Sequence, residues 1–339
     1  MPLGNEPLRV AIAGATSLRG RDLKEWIQQS AFPVHEVRLF DEELAAGTLT
    51  ELAGEPTVIQ AVDESSFDGT QFVFFAGSPS FAVKHAPAAG QAGATVIDLT
   101  GGLAGTPGVG PWIPSLDRVL APPAANAASS RQISAYLSLS TPAIVACSLS
   151  AALGELGLAR LAITFFQPVS ERGQVGVEEL ESQTIKLLSV QSMPQQVFDA
   201  QVAFNLLDRW GPASMLRLSD VRSALASEVR DYLAGRVLLP AFNLVQAPVF
   251  YGYAFTAYAE FSHPLASFVT RLEAAGFKIV GPDDPGPSNI TVAGEQLPLI
   301  APPEPDASVE RGYWFWGAAD NLRLATVNAV RIAERVLAS

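Results

Sequence analysis

The residues of this chain that could do chemistry begin with a glycine loop. Gly14-Ala15-Thr16-Ser17-Leu18-Arg19-Gly20 follows the apolar run Leu8-Arg9-Val10-Ala11-Ile12-Ala13 and opens a helical pattern. A glycine directly after a strand permits a tight turn, a later one lets helix and strand approach, and helix N-terminal amides then face a pyrophosphate. The middle glycine of that pattern is Ser17 here, which puts a side chain where backbone would approach a phosphate. Two readings stand level: a dinucleotide loop made of Gly14, Ala15, Thr16, Ser17, Leu18 and Gly20, and a strand-turn-helix joint kept for packing. Roughly 20 residues on, Phe40-Asp41-Glu42-Glu43 puts Asp41 where a dinucleotide fold hydrogen-bonds the ribose 2′-hydroxyl. Three consecutive acids would repel a 2′-phosphate, so the dinucleotide expected here is NAD rather than NADP. An exposed acidic loop is the commoner fate of such a run.

Groups for covalent or acid–base catalysis are scarce. The single cysteine, Cys147, lies in Ile144-Val145-Ala146-Cys147-Ser148-Leu149 with no neighbouring base, a setting that raises a thiol pKa and marks a buried structural residue. Ser138, Ser140 and Ser148 would each need a base to act as nucleophiles. The histidines, His35, His85 and His263, fall in a strand edge, a helical stretch and a loop, and make no metal site.

The elements that must position these residues alternate in the first part of the chain. Leu8–Ala13, Val37–Phe40, Phe72–Ala76 and Ala94–Asp98 read as short buried strands, with helical spacing at Leu18–Gln28 and Phe81–Gly93. Repeated strand–helix–strand units imply a parallel sheet with right-handed crossovers, hence a doubly wound α/β domain. Gly101–Ser130, rich in Gly, Pro, Ala and Ser, predicts a long irregular connection. Beyond it the texture becomes α+β: helices over Val177–Leu188 and Ser219–Ala234, and strands over Ala162–Val169 and Val249–Phe261. A last helix spans Asn321–Leu337. The boundaries this predicts are 1–134 with 320–339 for the nucleotide-binding-type domain and 135–319 for the second. With 48% hydrophobic and 17% charged residues in 339, both domains can bury cores. A net charge of −12 argues against nucleic acid or an anionic membrane surface as partner. The start, Met1-Pro2-Leu3-Gly4-Asn5-Glu6, has no basic segment before an apolar stretch, and no apolar run approaches about 18 residues; a cytoplasmic protein is expected.

Several separated segments resemble aspartate-semialdehyde dehydrogenases: the Gly14–Gly20 loop, Phe166-Gln167-Pro168-Val169-Ser170-Glu171-Arg172-Gly173, Gln246-Ala247-Pro248-Val249-Phe250-Tyr251-Gly252-Tyr253 and Ala319-Asp320-Asn321-Leu322-Arg323. The match is nearest to the Usg-like paralogues, through Gln-Ala-Pro-Val-Phe-Tyr-Gly and Gln201–Leu207. The resemblance implies a Rossmann-type domain, a dimerisation and substrate domain paired through its sheet, and a phosphorylating aldehyde oxidation by a cysteine thiolate and a histidine base. It also implies that these groups are missing. Two registers place either Leu139 or Ile144 at the cysteine, and an aliphatic side chain cannot form the thiohemiacetal. Tyr253 stands at the histidine and Gln246 at the arginine that grips substrate carboxylate. The substrate-binding glutamate is matched by Glu228, but the lysine three residues later becomes Asp231, and an arginine after the Ile97-Asp98 strand becomes Ala104. Gln167 matches the substrate-orienting glutamine, and Asn321 the nicotinamide-side asparagine.

Three readings follow. The first is a catalytically silent scaffold that requires no cofactor, retains capacity for a dinucleotide and forms a homodimer. The second is an NAD(P)-dependent oxidoreductase acting on an aldehyde such as aspartate semialdehyde. The third is a structural or interaction protein with a closed nucleotide cleft.

Overall fold

The computed structural model describes residues 8–120, 134–263 and 267–339. The first six residues and the 121–130 part of the irregular connection lie outside the described residues. The chain forms two compact units, one of residues 8–115, 134–139 and 325–339, the other of 116–120, 140–263 and 267–324.

The first unit runs β1 (Leu8–Ala13), α1 (Leu18–Gln29), β2 (Val34–Asp41), a small hairpin of β3 (Leu49–Leu52) and β4 (Glu55–Val58), β5 (Gln60–Ala61), β6 (Phe72–Phe75), α2 (Pro79–Gln91), β7 (Thr95–Asp98), β8 (Val109–Pro111) and β9 (Ala135–Leu137). Seven strands form one sheet in the order β5-β2-β1-β6-β7-β9-β8, all pairs parallel. Both faces are covered, which is why its strands read as continuous apolar runs. Val10, Ile12, Phe72, Phe74 and Ile97 pack with Leu23 and Ile27 of α1 and with Val330, Ile332 and Ala333 of the C-terminal helix. Ala11, Ala13, Val73, Phe75 and Val96 meet Phe81, Ala82, Ala86 and Ala89 of α2. Ser78 caps α2 by accepting from Phe81 N at 3.2 Å, and Pro79 supplies the first-turn proline that needs no acceptor. Strand β8 corrects the expectation of an irregular connection over Gly101–Ser130. Three residues carry too little periodicity to be read, and the strand exists only because β9 pairs with it.

The second unit holds α3 (Thr141–Gly154), β10 (Leu158–Gln167), α4 (Gly173–Leu188), α5 (Leu218–Leu233), β11 (Ala241–Gln246), β12 (Tyr253–Phe261), α6 (Val269–Ala274), β13 (Lys278–Ile279), β14 (Leu299–Ile300), β15 (Glu304–Pro305) and β16 (Gly312–Ala319); α7 (Arg323–Leu337) returns to the first unit. The mixed sheet is ordered β11-β10-β12-β16-β14-β13, with β15 on β16. Every residue of α3 from Thr141 to Leu153 is buried, as a helix apolar on all sides requires, and α3 packs on α5, α6 and β10. The strand expected over Val249–Phe261 begins only at Tyr253, because Gly252 at φ +78° turns the chain and closes a bend. The architecture is α/β: a doubly wound Rossmann-type unit and an α+β unit with a mixed sheet.

Candidate functional site

In the first unit the glycine loop lies at the carboxyl end of β1, where the strand order reverses between β2 and β6, the place an open parallel sheet binds ligands. Gly14, at φ +98°, leaves no room for a side chain: a Cβ there would sit 2.2 Å from Gly77 N. A Cβ on Gly20 would sit 2.1 Å from Gly14 O, so helix and loop touch through backbone. Ala15 is buried in the core beneath the loop. Ser17 is the N-cap of α1: its Oγ accepts from Gly20 N at 2.9 Å and donates to Ala76 O at 2.8 Å. The serine at the middle-glycine position thus satisfies one amide of the first turn and anchors the loop to β6. Leu18, at the start of that turn, has no intrahelical acceptor for its N–H.

Asp41 closes this arrangement. It is 7% exposed; its Oδ2 accepts from Thr16 N and Thr16 Oγ1, each at 2.7 Å, and its Oδ1 from Glu42 N at 2.8 Å. A carboxylate offers about four acceptor positions, so roughly one is left for a ribose hydroxyl. Beside it a cleft of about 370 Å³ is lined by Asp41, Glu42, Glu43, Phe81, Lys84 and His85. Burial, and then the Lys84 charge, hold the His85 imidazole below its usual range, so it is neutral at pH 7. Three carboxylates then face one ammonium. The donors and acceptors present fit the ribose end of a dinucleotide. Sequence reasoning missed Gly77 and Lys84, and placed His85 in a helical stretch without connecting it to this cleft. Gly77-Ser78-Pro79 after an apolar strand was the legible signal, a second strand-to-helix turn beside the first.

The second unit gathers Gln167, Gln246 and Tyr253. Strands β10 and β11 run parallel with Gln167 opposite Gln246 at their ends, and antiparallel β12 starts beside them, with Ala254 opposite Phe166. Three strand ends therefore converge. All three side chains are buried. Tyr253 Oη donates to Gln167 Oε1 at 3.4 Å and Gln167 Nε2 to Gln246 Oε1 at 3.3 Å; Gln246 Nε2 donates to Gln167 O at 2.9 Å and Ala247 O at 3.1 Å. No member of this chain carries a charge.

Asn321, just past β16, is buried and spent on backbone and side-chain contacts of its own unit. Its Oδ1 accepts from Gly252 N at 2.8 Å, and its Nδ2 donates to Ser170 Oγ at 3.1 Å and Glu171 Oε1 at 2.9 Å. Glu228, on α5, reaches the start of α3: Ser140 N donates to its Oε1 at 2.5 Å and Ser140 Oγ to its Oε2 at 2.6 Å. A carboxylate at a helix N-terminus is favourable on both dipole and hydrogen-bond grounds. Leu139, buried, ends the extended segment directly before this N-cap, whereas Ile144 lies inside α3 among core residues. Cys147, one turn further, is buried, and desolvation followed by the Glu228 charge pushes its thiol well up. Among the described residues no cluster of three or more His, Cys, Asp or Glu could hold a metal, and no helix is long and apolar enough to cross a membrane.

Residues 9–132 match the family model for the semialdehyde dehydrogenase NAD-binding domain, and 149–324 that for its dimerisation domain. The chain belongs to the aspartate-semialdehyde dehydrogenase family. It is 30% identical to a USG-1 protein homolog of Pseudomonas aeruginosa, with 98% of each chain covered. It is 27% identical to aspartate-semialdehyde dehydrogenase 2 of Vibrio cholerae, with 97% of this chain and 98% of that one covered. The solved structure of aspartate semialdehyde dehydrogenase II from Vibrio cholerae in complex with ASA superposes with a TM-score of 0.81 at 26% identity over 99% of each chain. Gln167, Gln246 and Tyr253, the residues that the sequence resemblance singled out, lie together on the three converging strand ends.

Proposed function

We propose that this protein is an aspartate-semialdehyde dehydrogenase homologue that no longer performs the parent oxidation and keeps a nucleotide-binding scaffold. The observation that carries this reading is the chain of uncharged side chains Tyr253–Gln167–Gln246 at the strand ends of the second unit. A substrate carboxylate needs a cation to grip it and an acyl transfer needs a base near neutral pH; a buried amide and a phenol of reference pKa about 10 supply neither. Of the two registers at the nucleophile, the local geometry favours Leu139. It sits one residue before a helix N-cap, where a thiolate would be stabilised by first-turn amides, while Ile144 is already inside the helix. Glu228, matched to a substrate-binding glutamate, is taken up by Ser140.

For the first unit we infer NAD in preference to NADP, because Asp41 retains an acceptor for a ribose hydroxyl and the surrounding carboxylates oppose a 2′-phosphate. No cofactor is required for the fold, since Asp41, Ser17 and the glycines are satisfied within the chain. We also infer a homodimer through the second unit. Thr256, Tyr258 and Glu260 on the outer face of β12 are only half-buried, and beside them Trp314 and Trp316 of β16 are 45% and 43% exposed, an aromatic sheet face of the kind a two-fold pairing covers.

The test is turnover. Purified protein is incubated with aspartate semialdehyde, phosphate and either NAD or NADP, and reduction is followed by absorbance. No rate above the protein-free background is expected, whereas steady reduced-nucleotide formation that scales with enzyme concentration would overturn the reading.

A further inference from the structure

The second unit contains another cleft, of about 290 Å³, whose lining includes Asp208, Arg209, Trp210, Arg217, Ser219 and Arg222. In a chain of net charge −12, three arginines on one cleft run against the average. Arg209 pairs with Asp208 at 3.2 Å, while Arg217 and Arg222 make no ion pair among the described residues. Asp220, in the first turn of α5, is the other carboxylate at this end of the helix. Three guanidinium groups on the cleft wall thus outnumber its one lining carboxylate.

The framework is fixed before any ligand arrives. Gly211 permits the loop to press against its neighbour, since a Cβ there would lie 2.0 Å from Asp199 O. Gly211 N donates to Phe198 O at 3.0 Å and Ala213 N to Asp199 Oδ2 at 2.8 Å. The 16-residue α5 begins with Arg217 at its N-cap and no side-chain cap, where Ser, Thr, Asn or Asp is the usual choice. Its first amides therefore have no side-chain acceptor. Trp210 is 6% exposed and its indole Nε1 has no hydrogen-bond partner. The guanidinium groups are donors, Asp220 N and Val221 N of the first turn already donate to Arg217 O, and planar guanidinium forks match phosphate oxygens two at a time. Trp210, Pro212, Leu218 and Leu244 add an apolar wall. The volume lies at the lower limit of small-ligand sites, about 300 Å³, well short of what a dinucleotide needs.

We propose that this cleft binds the phosphate group of a small monophosphate, held by Arg217 and Arg222 with Arg209 at the edge and its carbon part against Trp210. The adjoining Leu207 exchanges backbone hydrogen bonds with Gln246, at 3.0 and 2.9 Å, so the ligand would sit one residue from the neutral chain of the second unit.

The test is calorimetric titration of the full chain with phenyl phosphate and, separately, inorganic phosphate, both at chloride-matched ionic strength, comparing the native protein with R217Q/R222Q. Both replaced side chains are exposed, so an unchanged unfolding temperature is expected in the variant. Saturable binding that weakens at least tenfold in the variant supports the site. Tighter binding of phenyl phosphate identifies an organic monophosphate as the ligand class, and equal binding assigns the site to free phosphate. Absence of saturable heat with either compound, or equal affinity in native and variant proteins, overturns the proposal, the latter because phosphate would then sit elsewhere, such as the glycine loop.

Discussion

Replacing Gln246 by leucine separates a sealed amide chain from a hydrated, substrate-accessible one. Gln246 is fully buried, donates to Gln167 O and Ala247 O, and accepts from Gln167 Nε2. In Gln246→Leu, Gln167 O keeps a donor, because Ala247 N reaches it at 2.9 Å. Ala247 O and Gln167 Nε2 are stranded. Each orphaned buried polar group costs about 1–3 kcal/mol. The 3.3 Å contact of Gln167 Nε2 is long and belongs at the lower end. Leucine is close to glutamine in size, so no cavity term of consequence is added, and its apolar surface offsets roughly 1 kcal/mol. The sum is a loss of about 1–3 kcal/mol. For a unit of 150–250 residues each kcal/mol moves the midpoint by about 2–4 °C, which puts the expected drop at about 2–12 °C. Scanning calorimetry of the full chain reads it, with the two units treated as separate transitions because a single two-state fit does not apply to them. An unchanged second-unit midpoint with native circular dichroism would refute the reasoning. It would mean that water already serves these groups, that the strand ends are open, and that the silent-site reading has lost its foundation.

Four further outcomes follow from the same geometry. Asp41→Ala removes the acceptor of Thr16 N, Thr16 Oγ1 and Glu42 N, and should cost about 2–3 kcal/mol and weaken NAD binding severalfold; unaltered melting and affinity would show the loop to be held by its glycines alone. The His85 imidazole is held below its ordinary range by burial and by Lys84, so it gains charge only as pH falls below that depressed value; the NADP-to-NAD dissociation-constant ratio should be flat from pH 8 to 7 and decrease toward pH 5.5, and a change centred near pH 7 would contradict this. Cys147, with its thiol pushed well up by desolvation and the Glu228 charge, should resist a thiol reagent in the native state and react fully in denaturant; rapid native labelling would place it at an accessible surface. Trp314→Glu and Tyr258→Glu put charge on the aromatic sheet face, where the two rings lie 4.9 Å apart, and light scattering should register a shift from dimer to monomer; a dimer that persists in both variants locates the interface elsewhere.

How much of this was legible in the sequence depended on whether a residue's partner was local. The strands of the first unit announced themselves because both faces of the sheet are covered, so Val10-Ala11-Ile12-Ala13 had to be apolar at every position. The β8 strand was not legible, since three residues gain their conformation only from β9. Gly252 carried the end of the Val249–Phe261 misreading in plain view, as a glycine that splits an apolar run into bend and strand. At the candidate site, the identities of Gln167, Gln246 and Tyr253 were visible, but their convergence was not. It arises from a parallel pairing of β10 with β11 and an antiparallel pairing with β12, across segments separated by 79 and 86 residues.

Asp41 makes the same point from the other side. Its distance from the glycine loop was readable as a ribose contact, and the structure gives that carboxylate a second task at once: three of about four acceptor positions are occupied by Thr16 and Glu42. Spacing alone cannot divide a side chain between holding a loop and holding a ligand, because both tasks require an acid at the end of β2. The division is settled by how many lone pairs remain, and one remaining acceptor is enough for a ribose hydroxyl and too few to organise the loop around it. The loop must therefore be built before nucleotide arrives. On the proposed reading the first unit therefore keeps its loop whether or not a nucleotide is bound, because Thr16 and Glu42 hold Asp41 from within the chain.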